Sequence, residues 1–263
     1  MVLPLGDLQK TRIVPIATYL LIAANVVMYV VQREEADSFT VAYAATPYEI
    51  THNVDLVDPI PLVGPDEPPR DLSGRRDRRP EVIDEAPGPY PIWLTLVTAL
   101  FLHGSPLHLA GNMLYLWIFG DNVEEVLGWF RYLVVYLACG LVGTLFQIAA
   151  HPNSLIPTLG ASGAIAGVMG AYVIWFPHHK VRVLVFRYVT EMPALMVVGL
   201  WIVMQVWEGL GSFGPHGESG GVAYLAHVGG ALAGIFAAFL FNDRAEYQRR
   251  MNESREGWFY APE

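Results

Sequence analysis

The decapeptide TLGASGAIAG, residues 158–167, places a serine between two glycines at the head of an apolar run of helical length. Ser and Gly are common where membrane helices touch, so Ser162 taken alone is typical of a packing residue. The same hydroxyl is a potential nucleophile if a base lies within hydrogen-bond reach. The choice between these interpretations depends on which other polar residues reach the same place.

The composition is that of a membrane protein. The chain has 263 residues, of which 53% are hydrophobic and only 16% are charged, whereas soluble domains carry about 25% charged residues. Apolar runs suited to spanning helices recur along the chain. The predicted spans are 14–31, 107–119 with a helical continuation to Gly128, 132–150, 159–176, 193–207 and 222–241. The sequence therefore predicts an all-α membrane protein with six transmembrane helices.

Lys and Arg are unevenly distributed between the two ends of these spans. With the N-terminus inside, Lys10, Arg12, the KVRVLVFR loop at 180–187 and the arginines of the tail share one side. The loops on the other side, at 151–158 and 211–221, contain no Lys or Arg. The positive-inside rule then predicts cytoplasmic N- and C-termini. The predicted organisation is a cytoplasmic N-terminus at 1–13, a membrane domain at 14–241 and a cytoplasmic tail at 242–263.

Two segments lie outside this simple pattern. Residues 32–91 form one long extracytoplasmic connection, whose second half is dense in Pro and mixed charge. That composition predicts a solvated, poorly packed linker, with contact to a substrate or partner as the alternative. The stretch IWLTLVTALFL at 92–102 is apolar but too short to cross a bilayer, so we predict an interfacial or re-entrant segment there.

Several kinds of chemistry have no motif in this sequence. Cys139 is the only cysteine, which excludes a disulfide framework and a CxxC metal pair. The sequence contains neither HExxH nor a His-rich run with ligand spacing, and it lacks the GxGD pattern of intramembrane aspartyl proteases. The formal net charge is −9 and no basic patch stands out. We predict no metal, no cofactor and no nucleic-acid partner.

The predicted second span begins with polar residues. In HGSPLHLAGNML, residues 103–114, Ser105 followed by Pro106 predicts a helix N-cap and the first helical position. His108 and Asn112 then lie four residues apart on one face of the first two turns. Both side chains offer hydrogen-bond donors of the kind that stabilise an oxyanion during acyl transfer.

Ser162 and His227 occupy the same outer level of the fourth and sixth predicted spans. At ~1.5 Å per residue, they share a layer with His108 and Asn112 several ångströms below the outer surface. An ionisable side chain inside a span is costly and usually faces a cavity or a partner. Pairs of glycines four residues apart would let the two helix backbones approach closely enough for a Ser–His hydrogen bond. These glycines are Gly163, Gly167, Gly230 and Gly234.

Taken together, these motifs resemble the rhomboid family of intramembrane serine proteases. The resemblance rests on HGSPLHLAGN at 103–112, GDNVEEVLG at 120–128, GASG at 160–163 and AHVGGALAG at 226–234. It covers roughly residues 14–241 and implies a rhomboid-like bundle of six helices. It also implies a serine endopeptidase that needs no cofactor, whose partners are the lipid bilayer and transmembrane protein substrates. The implied location is a multi-pass protein of a bacterial inner membrane.

The resemblance assigns roles to individual residues. Ser162 would be the nucleophile and His227 the general base and then acid, a dyad without a third acidic residue. His108, Asn112 and Gly160 would stabilise the oxyanion together with backbone N–H groups around Ser162, and Gly160 would also give the backbone room beside the nucleophile. The supporting residues implied are His103 in the outer polar cluster, Gly163 in helix packing and Glu124 as a structural tether at the cytoplasmic end.

This sequence departs from the family pattern at two places. The family often has a Trp-Arg pair before the second span, whereas here Trp93 is followed by Leu94. Some members stack an aromatic side chain four residues after the serine against the catalytic histidine, whereas this chain has Ala166. Another group must therefore orient the imidazole of His227.

The resemblance also suggests how a substrate enters. Entry would be sideways past the fifth span, where Trp201 and Trp207 lie, and the glycine-rich loop 211–221 would serve as a lid. Two other functions stay open. A catalytically silent relative would bind membrane clients and would be expected to lack the Ser or the His. A transporter or channel would use His227 as a proton relay.

Overall fold

The computed structural model describes residues 2–9, 11–35, 37–58, 60–61, 82–83, 86–212 and 222–241. Most of the Pro-rich linker, residues 213–221 of the expected lid and the predicted tail at 242–263 lie outside the described residues. Within the described ranges the chain is mostly helical. The helices are α1 Ile16–Glu34, α2 Asp37–Tyr43, α3 Pro47–His52, α4 Thr95–Thr98, α5 Pro106–Leu127, α6 Trp129–Ala150, α7 Ser162–Trp175, α8 Ala194–Gly211 and α9 Tyr224–Leu240.

A helix lies at each of the six predicted span positions, but the helices differ in length. Among the described residues, α1, α6 and α8 are long and apolar enough to cross a membrane. The helical turns of Ile92–Phe101 lie at 76° to α5, which is the geometry of a broken span or a re-entrant loop, and this pair counts as a fourth candidate. α7 and α9 are apolar but shorter. With 14 residues, α7 is about 21 Å long, against a hydrocarbon core of roughly 30 Å.

The prediction of an all-α protein is wrong for two parts of the chain. The strands are β1 Val2–Asp7, β2 Ile60–Pro61, β3 Val82–Ile83, β4 Lys180–Val185 and β5 Tyr188–Pro193. A three-stranded antiparallel sheet has the order β1-β4-β5, and a two-stranded sheet pairs β2 with β3. The first four residues of the segment KVRVLV at 180–185 alternate charged with apolar side chains, which is the pattern of a half-buried strand. Val181 and Val183 are buried while Lys180 and Arg182 are exposed.

Asp7 attaches the end of β1 to the helical bundle. Its Oδ2 accepts hydrogen bonds from the hydroxyl of Tyr172 on α7 and, at 3.1 Å, from the side-chain amide of Asn122 on α5. Burial raises the pKa of Asp7 above its ordinary value. The N-terminal strand is thereby held against the ends of two helices that carry candidate site residues at their other ends.

Glycines set the distance between α7 and α9 at the centre of the bundle. A Cβ added at Gly230 would overlap the carbonyl oxygen of Gly163, and one added at Gly234 would overlap that of Gly167. The two helices therefore pack backbone to backbone, as the small-residue spacing predicts. This contact brings the first turns of the two helices, with Ser162 and His227, next to each other.

Candidate active site

Ser162 stands at the first position of α7 because the chain turns sharply before it. Gly160 has a φ of 119°, a conformation that favours glycine, and its N–H donates to the carbonyl of Ala99 at 2.8 Å. The helix therefore begins at Ser162, three residues after the start of the predicted span. The N–H groups of the first helical turn have no acceptor within the helix, so they are available to a ligand.

The side chains of Ser162 and His227 form a direct hydrogen bond. Ser162 Oγ lies 2.7 Å from His227 Nε2. The imidazole comes from the end of the first turn of α9 and is only 9% exposed. A buried imidazole nitrogen at this distance can accept the hydroxyl proton, which is the arrangement of a nucleophile activated by a base.

Two residues of α8 hold the imidazole from its other sides. His227 Nδ1 lies 2.6 Å from Gln205 Oε1 in a buried contact. The ring of Trp201 packs against the imidazole with centroids 5.5 Å apart and the planes tilted by 34°. These contacts orient the imidazole of His227, which Ala166 cannot do because it has no aromatic ring. Sequence reasoning missed Gln205, although an amide in an apolar span, one turn after a tryptophan, is a signal that could have identified it.

His108 and Asn112 line the same cavity as the dyad. The cavity has a volume of about 480 Å³, and its walls include Ser162, His227 and Trp201. Asn112 is 8% exposed, and its Nδ2 has no hydrogen-bond partner among the described residues. An unpaired buried donor beside a nucleophile is suited to binding an oxyanion.

Gly160 makes room for His108 beside Ser162. A Cβ at position 160 would lie 2.9 Å from His108 Cε1 and 3.0 Å from His108 Nε2. Because the N–H of Gly160 already bonds to Ala99, the residue is not placed to donate to an oxyanion. Its contribution to the site is the space that it leaves for the imidazole of His108.

His103 lies behind His108. It is 2% exposed, and its ring contacts that of His108 edge to face with centroids 5.2 Å apart. Its backbone N–H donates to Gln32 Oε1 at 2.9 Å, which connects the start of α5 to the end of α1. Neither ring nitrogen of His103 has a hydrogen-bond partner among the described residues, so the position of the ring is that of a support for His108.

Glu124 is remote from the dyad. It lies twelve residues after Asn112 on α5, about 18 Å along the helix axis. Its carboxylate accepts the backbone N–H groups of Ala17 at 2.9 Å and Thr18 at 2.8 Å, and also the Thr18 hydroxyl at 2.8 Å. These bonds satisfy N–H groups in the first turn of α1, which no acceptor within that helix can reach.

The chain is similar in sequence to known proteins over more than half of its length. A family model described as the Rhomboid domain matches residues 91–244, more than half of the chain. The chain is 30% identical over 171 residues to Rhomboid protein 1, mitochondrial, of Saccharomyces cerevisiae, covering 63% of this chain and 47% of that protein. It is 32% identical over 146 residues to Rhomboid protease GluP of Bacillus subtilis, covering 56% of this chain and 25% of that protein.

Plant relatives extend the comparison. RHOMBOID-like protein 5 of Arabidopsis thaliana is 31% identical over 186 residues, covering 71% of this chain and 54% of the relative. The chain spans between a quarter and about half of the length of these curated relatives. The resemblance drawn from the four motifs is confirmed by the family match. The chain belongs to the rhomboid family, a family of membrane proteins.

Proposed function

We propose that this protein is an intramembrane serine endopeptidase that cleaves transmembrane segments near their outer ends. The observation that carries the proposal is the 2.7 Å contact between Ser162 Oγ and His227 Nε2. A serine that only packs at a helix contact needs no imidazole beside it, whereas a nucleophile does need a base within this distance. A Bacillus subtilis relative bears the name rhomboid protease, which is consistent with this chemistry.

In the proposed reaction His227 takes a proton from Ser162 and then passes it to the leaving group. Nε2 takes the proton of the Ser162 hydroxyl as Oγ bonds to the carbonyl carbon of a peptide, and the carbonyl oxygen becomes an oxyanion. The same proton then passes from Nε2 to the leaving amine as the peptide C–N bond breaks. A water molecule then attacks the acyl-enzyme. His227 first takes a proton from this water as base and then, as acid, gives it to Ser162 Oγ.

Three sets of donors would hold the oxyanion. The N–H groups at the start of α7 point away from the helix body and have no acceptor within it. Asn112 offers an unpaired buried amide on the cavity wall, and the His108 ring lies in the same wall. Donors that are fixed in a buried site stabilise developing charge more strongly than water would, because they need no reorganisation.

The same proposal includes the topology and the membrane. We propose six spans within 14–241 and cytoplasmic N- and C-termini, in a bacterial plasma membrane. The distribution of Lys and Arg supports the orientation. Because α7 is shorter than the bilayer core, Ser162 would lie below the outer surface, within reach of a substrate helix.

The substrate in this proposal is a membrane protein whose helix is easily unwound near its outer end, since an intact helix hides its carbonyl groups. The active-site cavity is lined by apolar groups such as Leu107, Ile165 and Met169 as well as by the polar residues. A second cavity of about 280 Å³ adjoins it at His108 and is lined by polar residues including Gln147. It offers a route by which water could reach the acyl-enzyme.

The test of this function is cleavage of a fluorogenic transmembrane-segment substrate by the purified protein in liposomes. The proposal expects a cut near the outer end of the segment, mapped by mass spectrometry. Absence of cleavage with several such substrates, together with stable binding of the uncut segments, would instead support a catalytically silent relative that holds membrane clients.

The two tryptophans of α8 should affect the reaction differently. Trp201 packs on His227, whereas Trp207 is 76% exposed, on a side of the same helix that faces away from the described part of the bundle. We expect Trp201→Ala to slow both substrate cleavage and labelling of Ser162 by a small fluorophosphonate. Trp207→Ala should change only the cleavage of transmembrane substrates, because it alters the path past α8 and leaves the dyad untouched. Both variants should unfold at about the wild-type temperature.

Rates of cleavage and of labelling, measured on the same preparations, separate the two effects. Unchanged kinetics in both variants would count against entry of the substrate past α8.

Glu124→Gln should weaken the fold and leave the chemistry intact. The carboxylate accepts three hydrogen bonds from α1, and an amide in its place would turn an NH₂ group toward at least one of those donors. Burying such a mismatch costs about 1–3 kcal/mol. Thermal unfolding should therefore begin at a lower temperature, while the folded fraction still reacts with a fluorophosphonate at the wild-type rate.

Glu125→Gln is the matched control, because its amide oxygen can still accept the N–H of Arg12 at a more exposed position. Loss of labelling in folded Glu124→Gln protein would mean that Glu124 takes part in the chemistry after all.

A further inference from the structure

The two ring nitrogens of His227 have different partners. Nε2 faces the Ser162 hydroxyl at 2.7 Å and Nδ1 faces Gln205 Oε1 at 2.6 Å. A neutral imidazole carries one N–H donor and one acceptor nitrogen, and the hydrogen bond made by one nitrogen determines the role of the other. Nε2 can accept a proton from serine only if the hydrogen of the neutral ring is on Nδ1.

The amide oxygen of Gln205 is suited to fixing that hydrogen. An oxygen can only accept, so a contact with Nδ1 at this distance requires Nδ1 to be the donor. The contact is buried, with Gln205 8% exposed and His227 9% exposed. A competing water is thus kept away, and the alternative tautomer would put two acceptors against each other at Nδ1.

The helix that carries Gln205 is itself fixed against α9. The buried residues of α8 include Val198, Gln205 and Gly209, and Trp201 lies on the same stripe at helical spacing. A Cβ at Gly209 would lie 2.8 Å from Leu225 Cδ2, so the outer end of α8 packs closely on α9. Most other residues of α8, such as Val203, are exposed. The amide therefore stands on the one face of α8 that meets the base.

We propose that Gln205 is a positioning residue that holds His227 in the Nδ1–H tautomer and aims Nε2 at Ser162. This inference rests on the proposed protease function and adds a third member to its dyad. When the Ser162 proton reaches Nε2, the Nδ1–H of the imidazolium keeps donating to the amide oxygen. The amide itself neither gains nor loses a proton. The neutral amide here takes the place that a carboxylate holds in a Ser-His-Asp triad.

Gln205→Met tests this role with a side chain of similar length that cannot accept the Nδ1 hydrogen. We expect kcat to fall by about 10–100-fold, by analogy with the loss found when the hydrogen-bond partner that orients a metal-binding histidine is removed. KM should change by less than about twofold, because the amide acts on the transition state and not on substrate binding. Val203→Met, which puts the same side chain on the exposed face of α8, should leave both constants unchanged.

Two further variants distinguish positioning from a structural role. Gln205→Glu retains an oxygen at the same reach and should recover most of the wild-type kcat. Gln205→Asn keeps the amide but withdraws it by one carbon, so it should lose activity as the Met variant does while preserving the polarity of the site. The Asn variant answers the question even if Gln205→Met does not fold.

The outcomes separate this inference from the function on which it rests. If the wild-type protein neither cleaves nor reacts with a fluorophosphonate at Ser162, the protease function itself fails. If the wild type is active and folded Gln205→Met or Gln205→Asn keeps its kcat, the positioning role alone is overturned. A folded Gln205→Glu protein as slow as the Met variant would overturn it as well.

Discussion

Ser162→Ala and His227→Ala should each reduce kcat by more than about 10⁴-fold, because a nucleophile and its base act as one unit. The alanine at 162 removes the atom that would bond to the substrate, and the alanine at 227 removes the only base in contact with it among the described residues. Initial cleavage rates in liposomes measure this effect, and thermal unfolding shows whether the variants are folded. Alanine is well tolerated in the first turns of α7 and α9, so both should fold.

The controls for these variants are Ser38→Ala on α2 and His178→Ala after α7, at exposed positions outside the cavity. Both should cleave at the wild-type rate. The double variant of Ser162 and His227 should be no slower than either single variant, since the residual rate no longer depends on the dyad. Folded single variants that retain more than about a tenth of the wild-type kcat would contradict nucleophilic catalysis by this pair.

Among single glycine-to-alanine substitutions in the bundle, Gly234→Ala should lower the free energy of unfolding the most. Its Cβ would overlap the carbonyl oxygen of Gly167, a backbone atom in the centre of α7 that cannot rotate away. Relief requires α7 and α9 to separate, at a cost of about 3 kcal/mol or more. Unfolding in detergent, followed by temperature or denaturant, measures the change in free energy.

Gly199→Ala on α8 is the matched control. Among the described residues, no atom beyond the adjoining backbone of α8 lies within 4 Å of a Cβ at that position, so the substitution should be neutral or should stabilise the helix by up to about 1 kcal/mol. A Gly234→Ala protein that unfolds at the wild-type midpoint would show that α7 and α9 are not in backbone contact.

The sequence predicted the start of α5 because the signal there is local. Ser105 was expected to cap the helix with Pro106 in the first position, and the structure confirms it, with Ser105 Oγ accepting the N–H of His108 at 3.1 Å. The start of α7 was predicted three residues too early. Hydrophobicity continues through Leu159, but the backbone of Gly160 leaves the helical region at a φ of 119°, and hydropathy carries no information on that.

Other features could not be read from the sequence because they depend on which faces meet. α8 is apolar on most sides, so its hydrophobic pattern does not indicate that the stripe with Trp201 and Gln205 faces α9. The charged residues of β4 suggested a cytoplasmic loop and not a strand. Its partner β1 lies more than 170 residues away in the chain, so no local pattern indicates the pairing. In contrast, the approach of α7 to α9 was predictable, since Gly163 and Gly230 lie at matching levels of two helices.

The most direct test of Ser162 as the nucleophile is to map the site of reaction with a fluorophosphonate in liposomes. The probe forms a covalent bond with an activated serine and can be located by mass spectrometry of the digested protein. We predict modification at Ser162 in the wild-type protein and none at this position in the His227→Ala protein. An unmodified Ser162 in folded protein, or equal modification without His227, would contradict the proposal that these two residues form a catalytic pair.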